Sequence, residues 1–296
     1  MTTAIEVTGL SRHFGDVRAV DDVSFSVTAD RIYGLLGRNG AGKTTLMQLL
    51  SGQDFPTSGS IRVFGGNPVE NATVLQNVSF IKESQKYPDD FTVKHVLTSA
   101  PWFFHNWDAD FADRLLGDFR LPVNRKIKKL SRGQLSAVGV IVGLASRASL
   151  TFFDEPYLGL DAVARQLFYD RLLEDYSEHP RTVILSTHLI DEVSNLLEHV
   201  IVIDDGRILV DESAEALRGT TATVAGTASA VNQFAQGRNI LHRENFGGLA
   251  SITVDTISAA DRAAAAKAGL EFSPVSLQQL IVRLTNAPTK EFEQSA

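Results

Sequence analysis

The chain has 296 residues, about twice the roughly 150 residues of a typical domain, so we expect one large domain or two unequal domains. Its composition, with 44% hydrophobic and 21% charged residues, is that of a globular protein and excludes a disordered, collagen-like or low-complexity chain. The absence of cysteine excludes disulfides, thiolate zinc sites and cysteine nucleophiles, and the net charge of -7 argues against DNA or RNA as the main partner.

The sequence also lacks the patterns that carry a chain into or across a membrane. Its longest apolar stretch, from Ala137 to Phe153, is shorter than the about 20 residues of a spanning helix and contains Arg147. The first residues, Met1 to Glu6, have neither the basic nor the apolar region of a secretory signal. We therefore expect a cytoplasmic protein.

Strand and helix patterns alternate through the first two thirds of the chain, which predicts an α/β fold. The segment at residues 22–27 alternates apolar and polar residues, as in an antiparallel strand with one buried face, and residues 61–63 follow the same pattern. Three apolar runs without alternation, at residues 32–36, 150–153 and 182–185, indicate strands buried on both faces. We expect these three to be the central strands of a mostly parallel sheet.

A helical region is predicted between these strands. Phe111, Leu115 and Phe119 recur every four residues after Asp108, a residue type that caps helices. The spacing is that of an amphipathic helix. We therefore expect residues 91–129 to be mostly helical.

The end of the chain has the patterns of a second, smaller domain. An Asp-Gly pair at 205–206 between apolar segments predicts a β-hairpin that ends the first domain. The following patterns are strand, helix, two strands, helix, strand and helix, typical of a small split β-α-β fold. We place the first domain at residues 1–219, with a helical insert at about 91–147, and an α+β C-terminal appendage at 220–296. The last helix is expected to carry an apolar stripe of Leu277, Leu280, Ile281 and Leu284.

The most informative motif directly follows the apolar run at 32–36 and opens a helix. Its sequence, Gly-Arg-Asn-Gly-Ala-Gly-Lys-Thr, fits the phosphate-binding pattern G-x-x-x-x-G-K-[ST]. Glycines let backbone N–H groups curl around phosphates, the lysine reaches the β- and γ-phosphates, and the threonine hydroxyl binds Mg²⁺. The alternative is a glycine-rich turn that caps a helix without a ligand. The predicted contacts to a nucleoside triphosphate are Gly37, Arg38, Asn39, Gly40, Ala41, Gly42, Lys43, Thr44 and Thr45.

Two acidic residues end the predicted strand at 150–153. Asp154 is placed to hold Mg²⁺ and its hydration shell, and Glu155 to act as general base for an attacking water. An acidic pair after an apolar run is also typical of a strand end that meets solvent. The phosphate-binding motif favours the catalytic interpretation.

A third motif, Leu-Ser-Arg-Gly-Gln at 130–134, resembles the Leu-Ser-Gly-Gly-Gln signature of ATP-binding cassette (ABC) ATPases, with Arg132 in place of a glycine. His188 follows the third buried strand and resembles the histidine of that family that contacts the γ-phosphate, although a lone histidine often merely ends a strand. The order of the motifs is that of the ABC family, and the resemblance covers residues of about 4–218. It implies a P-loop NTPase cassette with an antiparallel β subdomain and a helical insert, with ATP and Mg²⁺ as cofactors.

The resemblance assigns further roles. Phe14 resembles the aromatic residue that stacks on adenine, although a single aromatic before a strand is often a core residue. Gln85 resembles the glutamine that contacts Mg²⁺ and the attacking water, with Glu83 as the alternative. Asp161 resembles the aspartate that crosses the dimer interface. The signature residues that would contact nucleotide are Ser131, Gly133 and Gln134.

The resemblance also implies partners. A signature of this type completes the site of another subunit, so one signature per chain implies a dimer, and the complete set of motif residues favours a homodimer. The implied function is that of an ATPase subunit that powers a transporter through separate integral membrane subunits, peripheral on the inner face of the membrane. The segment at 274–280 resembles subunits of antibiotic and drug exporters. The alternative is a non-transport ABC ATPase of translation or DNA maintenance, although such proteins usually carry two cassettes or a long coiled coil.

Overall fold

The computed structural model describes residues 2–83, 85–254 and 258–286. The chain divides into two compact units. The first runs to His188 and includes Leu196–Asp211, whereas the second contains Leu189–Asn195 and the chain from Glu212 onward. The first unit therefore ends before residue 219, the boundary expected from the sequence.

The first unit contains most of the helices and strands. Its elements, in chain order, are β1 (Thr3–Phe14), β2 (Val17–Thr28), β3 (Ile32–Leu36), α1 (Lys43–Leu50), β4 (Ser58–Val63), α2 (Ala72–Leu75), β5 (Val78–Lys82), α3 (Val93–Ser99), a 3₁₀ turn (Ala100–Trp102), α4 (Ala109–Asp118), a second 3₁₀ turn (Ile127–Lys129), α5 (Arg132–Ala145), β6 (Leu150–Asp154), α6 (Ala162–Glu178), β7 (Thr182–Thr187), β8 (His199–Asp204) and β9 (Arg207–Ser213), whose last residues belong to the second unit.

An antiparallel sheet forms one layer of this unit, with strands in the order β2-β1-β4. Val23, Phe25 and Val27 are buried while the residues between them are exposed, so the predicted one-sided strand is confirmed. Ile61 and Val63 of β4 are also buried. These side chains form one core cluster with residues of the second sheet.

The second sheet has the strand order β5-β6-β7-β3-β8-β9. The first five of these strands are parallel to their neighbours, and every residue of β3, β6 and β7 is buried, as predicted. β9 follows β8 after a turn in which Asp205 and Gly206 both have positive φ, which confirms the hairpin. Because the carboxyl ends of parallel strands share one edge, Asp154 lies beside Ser186 at the end of the sheet where the phosphate-binding loop leaves β3.

The helical insert is less continuous than the sequence predicts. Asp108 caps α4 as expected, since its Oδ1 accepts a hydrogen bond of 2.7 Å from the Phe111 N–H. Between residues 91 and 129, however, the chain forms α3, α4 and two 3₁₀ turns rather than one long helical region. Pro101 lies in the first 3₁₀ turn and Pro122 follows α4, and proline cannot continue the hydrogen bonding of a helix.

A buried ion-pair network joins the insert to the rest of the unit. Asp175 of α6 is 5% exposed and accepts hydrogen bonds from Arg181 at 2.6 Å and from Arg147 at 2.9 Å. Arg147 also pairs with Asp108, the cap of α4, at 2.8 Å. The Asp175 carboxylate thus binds both arginines, and Arg147 also contacts the residue that caps α4 in the insert.

The longest apolar stretch of the sequence forms α5 and β6, which are buried in the first unit. The helix is apolar on most of its faces because it packs inside the unit rather than on its surface. In the part of the chain that the structure describes, no helix combines the length and the apolarity needed to cross a membrane.

The second unit is a small α+β structure with its own core. Its strands pair in the order β11-β12-β10-β13, and every pairing is antiparallel. Val224, Val231 and Ile252 are fully buried members of a core cluster that this unit does not share with the first. The elements are α7 (Ile190–Val193), α8 (Ala214–Thr220), β10 (Ala222–Thr227), α9 (Ala228–Ala235), β11 (Ile240–Phe246), β12 (Leu249–Val254), α10 (Ala259–Lys267), β13 (Glu271–Pro274) and α11 (Leu277–Asn286).

The last helix buries part of its predicted apolar stripe. Leu277, Leu280 and Ile281 are each less than 5% exposed. The side chain of Leu284 lies outside what the structure describes, as do residues 287–296 of the appendage. Within the second unit α11 contacts α7, so the short segment after His188 packs against the end of the chain.

Candidate nucleotide-binding site

The loop between β3 and α1 is shaped by its glycines. Gly37, Gly40 and Gly42 have φ values of 155°, 84° and 108°, in the region that residues with a Cβ rarely adopt. A Cβ on Gly37 would lie 2.1 Å from the Ile203 carbonyl oxygen, and one on Gly42 would lie 2.2 Å from the Ala19 carbonyl oxygen. The predicted loop is therefore present, with its N–H groups leading into the N-terminus of α1.

Lys43 is held across this loop. Its side chain is 6% exposed, and Nζ donates hydrogen bonds to the carbonyl oxygens of Gly37 at 2.9 Å and Arg38 at 3.0 Å. Burial lowers the pKa of Lys43 below its ordinary value, and the nearby carboxylates of Glu155 and Asp154 oppose that shift. The ammonium group is thus positioned at the loop without being paired in short contact with a carboxylate, since Glu155 Oε1 is 3.9 Å away.

Thr44 and Asp154 come together although 110 positions separate them. The Thr44 hydroxyl donates a hydrogen bond of 2.7 Å to Asp154 Oδ2. Asp154 is 7% exposed, and its backbone carbonyl accepts a hydrogen bond from the Glu83 N–H at 3.1 Å. A hydroxyl and a carboxylate in contact are hard oxygen donors, so this pair fits Mg²⁺, which binds proteins through few such groups and keeps several waters.

Glu155 and His188 meet at the adjoining strand ends. Glu155 has a φ of 48°, a conformation uncommon for residues other than glycine, and its N–H bonds to the Ser186 carbonyl at 3.2 Å. This geometry turns the carboxylate so that Oε2 lies 3.3 Å from His188 Nδ1. The predicted base and histidine are therefore neighbours, and Lys43 lies on the other side of the same carboxylate.

A cleft of about 860 Å³ opens in front of these groups, within the size range of ligand sites. Several predicted residues line it, namely Asn39, Gly40, Gly42, Lys43, Thr44, Thr45, Asp154 and Glu155. Glu83, the alternative to Gln85, also lines the cleft. Sequence reasoning missed eight others: Val17, Arg18, Ala19, Gln48, Lys82, Leu158, Asp205 and Gly206. Gln48 lies one turn after Thr44, so the helical period gives a signal for it, whereas the hairpin residues come from a distant part of the sequence.

Phe14 and Gln85 are two predicted site residues that are not among the described residues lining the cleft. Phe14 is 48% exposed, which excludes the core interpretation, and the Arg12 guanidinium lies 4.3 Å from its ring centroid. It is not among the described residues that line the cleft.

Gln85 is half-buried in the turn after β5. Glu83 lines the cleft instead and forms an ion pair with Arg132. The roles of Phe14 and Gln85 stay predictions.

The signature and the aspartate loop each begin a helix. The Ser131 hydroxyl accepts a hydrogen bond from the Gln134 N–H at 3.2 Å, and the Gln134 side chain bonds back to the Ser131 N–H, which forms a capping box on α5. Asp161 caps α6 by accepting a hydrogen bond of 2.8 Å from the Ala164 N–H. Ser131 and Asp161 are exposed, Gly133 is half-buried, and none of them is among the described residues of the cleft.

Comparisons with known proteins identify relatives. The ABC transporter family model matches residues 20–158. The chain is 31% identical over 212 residues to the bacitracin transport ATP-binding protein BcrA of Bacillus licheniformis, covering 71% of this chain and 69% of that protein. It is 32% identical over 221 residues to the Nod factor export ATP-binding protein I of Burkholderia lata, covering 72% of each. A solved ATP-binding subunit of an ABC transporter superposes with a TM-score of 0.66 at 25% identity, covering 73% of this chain and 92% of that one.

These relatives share the cassette fold that the sequence predicts, which confirms the α/β P-loop architecture. The matched region contains both the phosphate-binding loop and the acidic end of β6. The shared length and identity with the curated relatives extend beyond those motifs into the rest of the first unit. The chain therefore belongs to the ATP-binding proteins of ABC transporters, the family whose members hydrolyse ATP to power transport.

Proposed function

We propose that two copies of this chain bind ATP and Mg²⁺ and drive an exporter formed with separate integral membrane subunits, at the inner face of the cell membrane. The observation that carries the proposal is the position of Glu155, whose carboxylate lies 3.9 Å from Lys43 Nζ and 3.3 Å from His188 Nδ1. A base and a cation at one end of the sheet can orient a water and stabilise charge during phosphoryl transfer, and the neighbouring histidine adds a hydrogen-bond donor.

The residues at this edge divide the chemistry among them. Glu155 accepts the proton of the attacking water, and Lys43 donates hydrogen bonds to phosphate oxygens in place of those it makes to its own loop. Thr44 and Asp154 would hold Mg²⁺, which would supply positive charge to neutralise the phosphates. His188 donates to a phosphate oxygen, and the glycine loop provides backbone N–H groups.

The homodimer is supported by the predicted contact residues that do not line the described cleft. Ser131, Gly133, Gln134 and Asp161 carry the family's nucleotide-contacting residue types, yet the described cleft is lined by other residues. If they serve the cleft of a second copy, two identical chains form two complete sites. In such a dimer the exposed Ser131 would contact nucleotide of the second copy in addition to capping α5.

Export is favoured by what the relatives do. The Burkholderia lata protein is named for Nod factor export and the Bacillus licheniformis protein for bacitracin transport. Both names refer to transport or export, which favours a transporter over the alternative in translation or DNA maintenance. The acidic chain charge of -7 agrees with that choice, because a nucleic-acid partner generally requires a basic surface.

A complementation experiment tests the composite site. Lys43→Ala removes the phosphate-binding cation of a chain, and Ser131→Ala removes the signature hydroxyl, so each variant alone is expected to lose hydrolysis. A mixture should recover activity, because a mixed dimer combines one intact loop with one intact signature. The control is a mixture of Lys43→Ala with Glu155→Gln. Both changes affect the part of the site that is formed by the loop and Glu155 of one chain, so each site of a mixed dimer keeps one defect and the mixture should stay inactive. An inactive first mixture would contradict the dimer.

The membrane partner is tested separately. Co-expression with a polytopic membrane protein encoded beside this chain should bring the chain into the membrane fraction and increase its ATP hydrolysis. The same chain expressed without that protein gives the reference distribution. Co-purification with ribosomes or DNA instead of the membrane protein would overturn the transporter assignment.

A further inference from the structure

One aromatic residue lies between the catalytic strand end and the aspartate loop. Tyr157 follows Glu155 by two positions and is completely buried. Its ring packs at 5.9 Å from the His188 ring, measured between centroids. A buried tyrosine requires partners for its hydroxyl, and those partners lie on the loop that ends β7.

The hydroxyl of Tyr157 contacts Thr187 and His188 there. It lies 2.7 Å from the Thr187 hydroxyl oxygen, 3.4 Å from His188 Nδ1, and it accepts a hydrogen bond of 3.2 Å from the His188 backbone N–H. A phenolic hydroxyl can accept two hydrogen bonds and donate one. These contacts are compatible with donation by the Thr187 hydroxyl and the backbone N–H, with the tyrosine proton directed to Nδ1.

His188 Nδ1 therefore faces two different oxygens. Glu155 Oε2 lies 3.3 Å away, and Tyr157 Oη lies 3.4 Å away. The carboxylate can only accept, so a contact with Glu155 requires the proton on Nδ1. The hydroxyl can donate, so a contact with Tyr157 allows Nδ1 to be the acceptor and leaves the ring proton on Nε2.

We propose that Tyr157 is a positioning residue for His188, which fixes the backbone of the histidine and competes with Glu155 for Nδ1, so that more of the neutral ring carries its proton on Nε2. The consequence for catalysis rests on the proposed function, because an Nε2–H group is the one that donates to a phosphate oxygen when Nδ1 is engaged. Without the hydroxyl, the carboxylate takes Nδ1, and Nε2 loses its proton.

The tautomer of His188 is the direct test. Tyr157→Phe removes the hydroxyl and keeps the ring packing. In ¹⁵N-histidine-labelled, nucleotide-free protein, the ring nitrogen shifts distinguish the two tautomers of the neutral ring. The seven histidines are distinguished by comparison with a His188→Gln sample. We expect Tyr157→Phe to lower the share of the Nε2–H form. An unchanged share would overturn the proposal.

A second variant tests the same competition from the other side and does not depend on the folding of Tyr157→Phe. Glu155→Gln removes the carboxylate that favours Nδ1–H, so the share of the Nε2–H form should rise. A share that stays constant or falls would contradict the proposal. Tyr176→Phe is the matched control, because it removes a hydroxyl bonded to Asp30 and Glu198 elsewhere in the same unit and should leave the His188 tautomer unchanged.

The kinetic readout separates positioning from binding. Tyr157→Phe should lower kcat by about 10-fold, the effect of one misplaced hydrogen bond, with KM for ATP nearly unchanged. An unchanged kcat, or a rise in KM that accounts for the whole loss, would overturn the positioning role. The tautomer is measured without nucleotide, so its result does not depend on ATP hydrolysis. The tautomer prediction can therefore be wrong while the Lys43 and Ser131 variants complement each other, and it can be right while they do not.

Discussion

The chemistry of single residues depends on contacts across the sheet edge rather than along the chain. The Thr44 hydroxyl reaches Asp154 at 2.7 Å, and Glu155 lies between Lys43 and His188. Each of these residues lies at or next to the end of a helix or strand, so the contacts join segments that are distant in sequence. Substitutions that keep size and change one function are therefore the most informative.

Glu155→Gln is expected to bind ATP with nearly normal affinity and to hydrolyse it at least about 10²-fold more slowly, because an amide cannot accept the proton of the attacking water. The trapped nucleotide should also favour the dimer. Phosphate release and light scattering in the presence of ATP measure the two effects. Turnover equal to that of the unmodified chain would remove Glu155 from the role of base.

Thr44→Val is expected to lower hydrolysis by about 10- to 100-fold, because it removes the hydroxyl that shares Mg²⁺ with Asp154 in the proposed site. Thr44→Ser keeps the hydroxyl and serves as the matched control. Titration of activity with Mg²⁺ should show a higher requirement for the valine variant. Equal Mg²⁺ curves for the two variants would exclude a metal role for this hydroxyl.

At the scale of elements, α4, α6 and the start of β7 are connected through one buried carboxylate. Asp175 accepts from Arg147 and Arg181, and Arg147 continues to the cap of α4. Burial lowers the pKa of Arg181 while the Asp175 carboxylate opposes that shift. The network therefore depends on the charge of Asp175, since two cations face it.

Asp175→Asn is expected to lower the free energy of unfolding by about 3 kcal/mol or more, because it leaves buried arginine charge uncompensated. Chemical denaturation of the full chain measures the change. Glu174→Gln is the control, since Glu174 pairs with Arg171 at the surface and its loss should cost less than about 1 kcal/mol. A similar loss for both variants would contradict the importance of the buried network.

The sequence predicts those elements whose signal is contiguous. The loop at 37–44, the buried strands and the hairpin at 205–206 each carry their pattern within a few residues, and the structure confirms them. Contacts between distant segments leave no such pattern. Tyr157 contacts Thr187 of β7, 30 positions away, and Asp175 contacts Arg147, 28 positions away. The breaks near Pro101 depend on local turns that the four-residue apolar repeat does not report.

At the scale of the whole molecule, the second unit has its own core but is not a simple C-terminal extension. Ile190 and Val193 are 5% and 0% exposed, and they lie on α7, which contacts α11 within the second unit. Removal of residues 220–296 therefore removes a partner of a helix that stays behind. The appendage and the segment at 189–195 form one structural unit, although more than twenty residues separate them in sequence.

Truncation after residue 219 is expected to lower solubility, because Ile190 and Val193 lose their cover. The same truncation combined with Ile190→Asn and Val193→Asn should restore solubility and bind ATP with nearly unchanged affinity, since the cleft belongs to the first unit. Sedimentation and fluorescent-nucleotide titration measure both properties. A single truncation as soluble as the full chain would contradict the role of α7.

The second unit is joined to the first directly after His188, at the start of the segment that contains α7. The backbone leaves the first unit directly after His188 and returns at Leu196, and Leu189 is already the residue that precedes α7. Only Leu189 lies between His188 and the first residue of α7, a helix of the second unit. A ligand or protein that binds the appendage would therefore contact a unit that is joined by a peptide bond to His188, the proposed catalytic histidine.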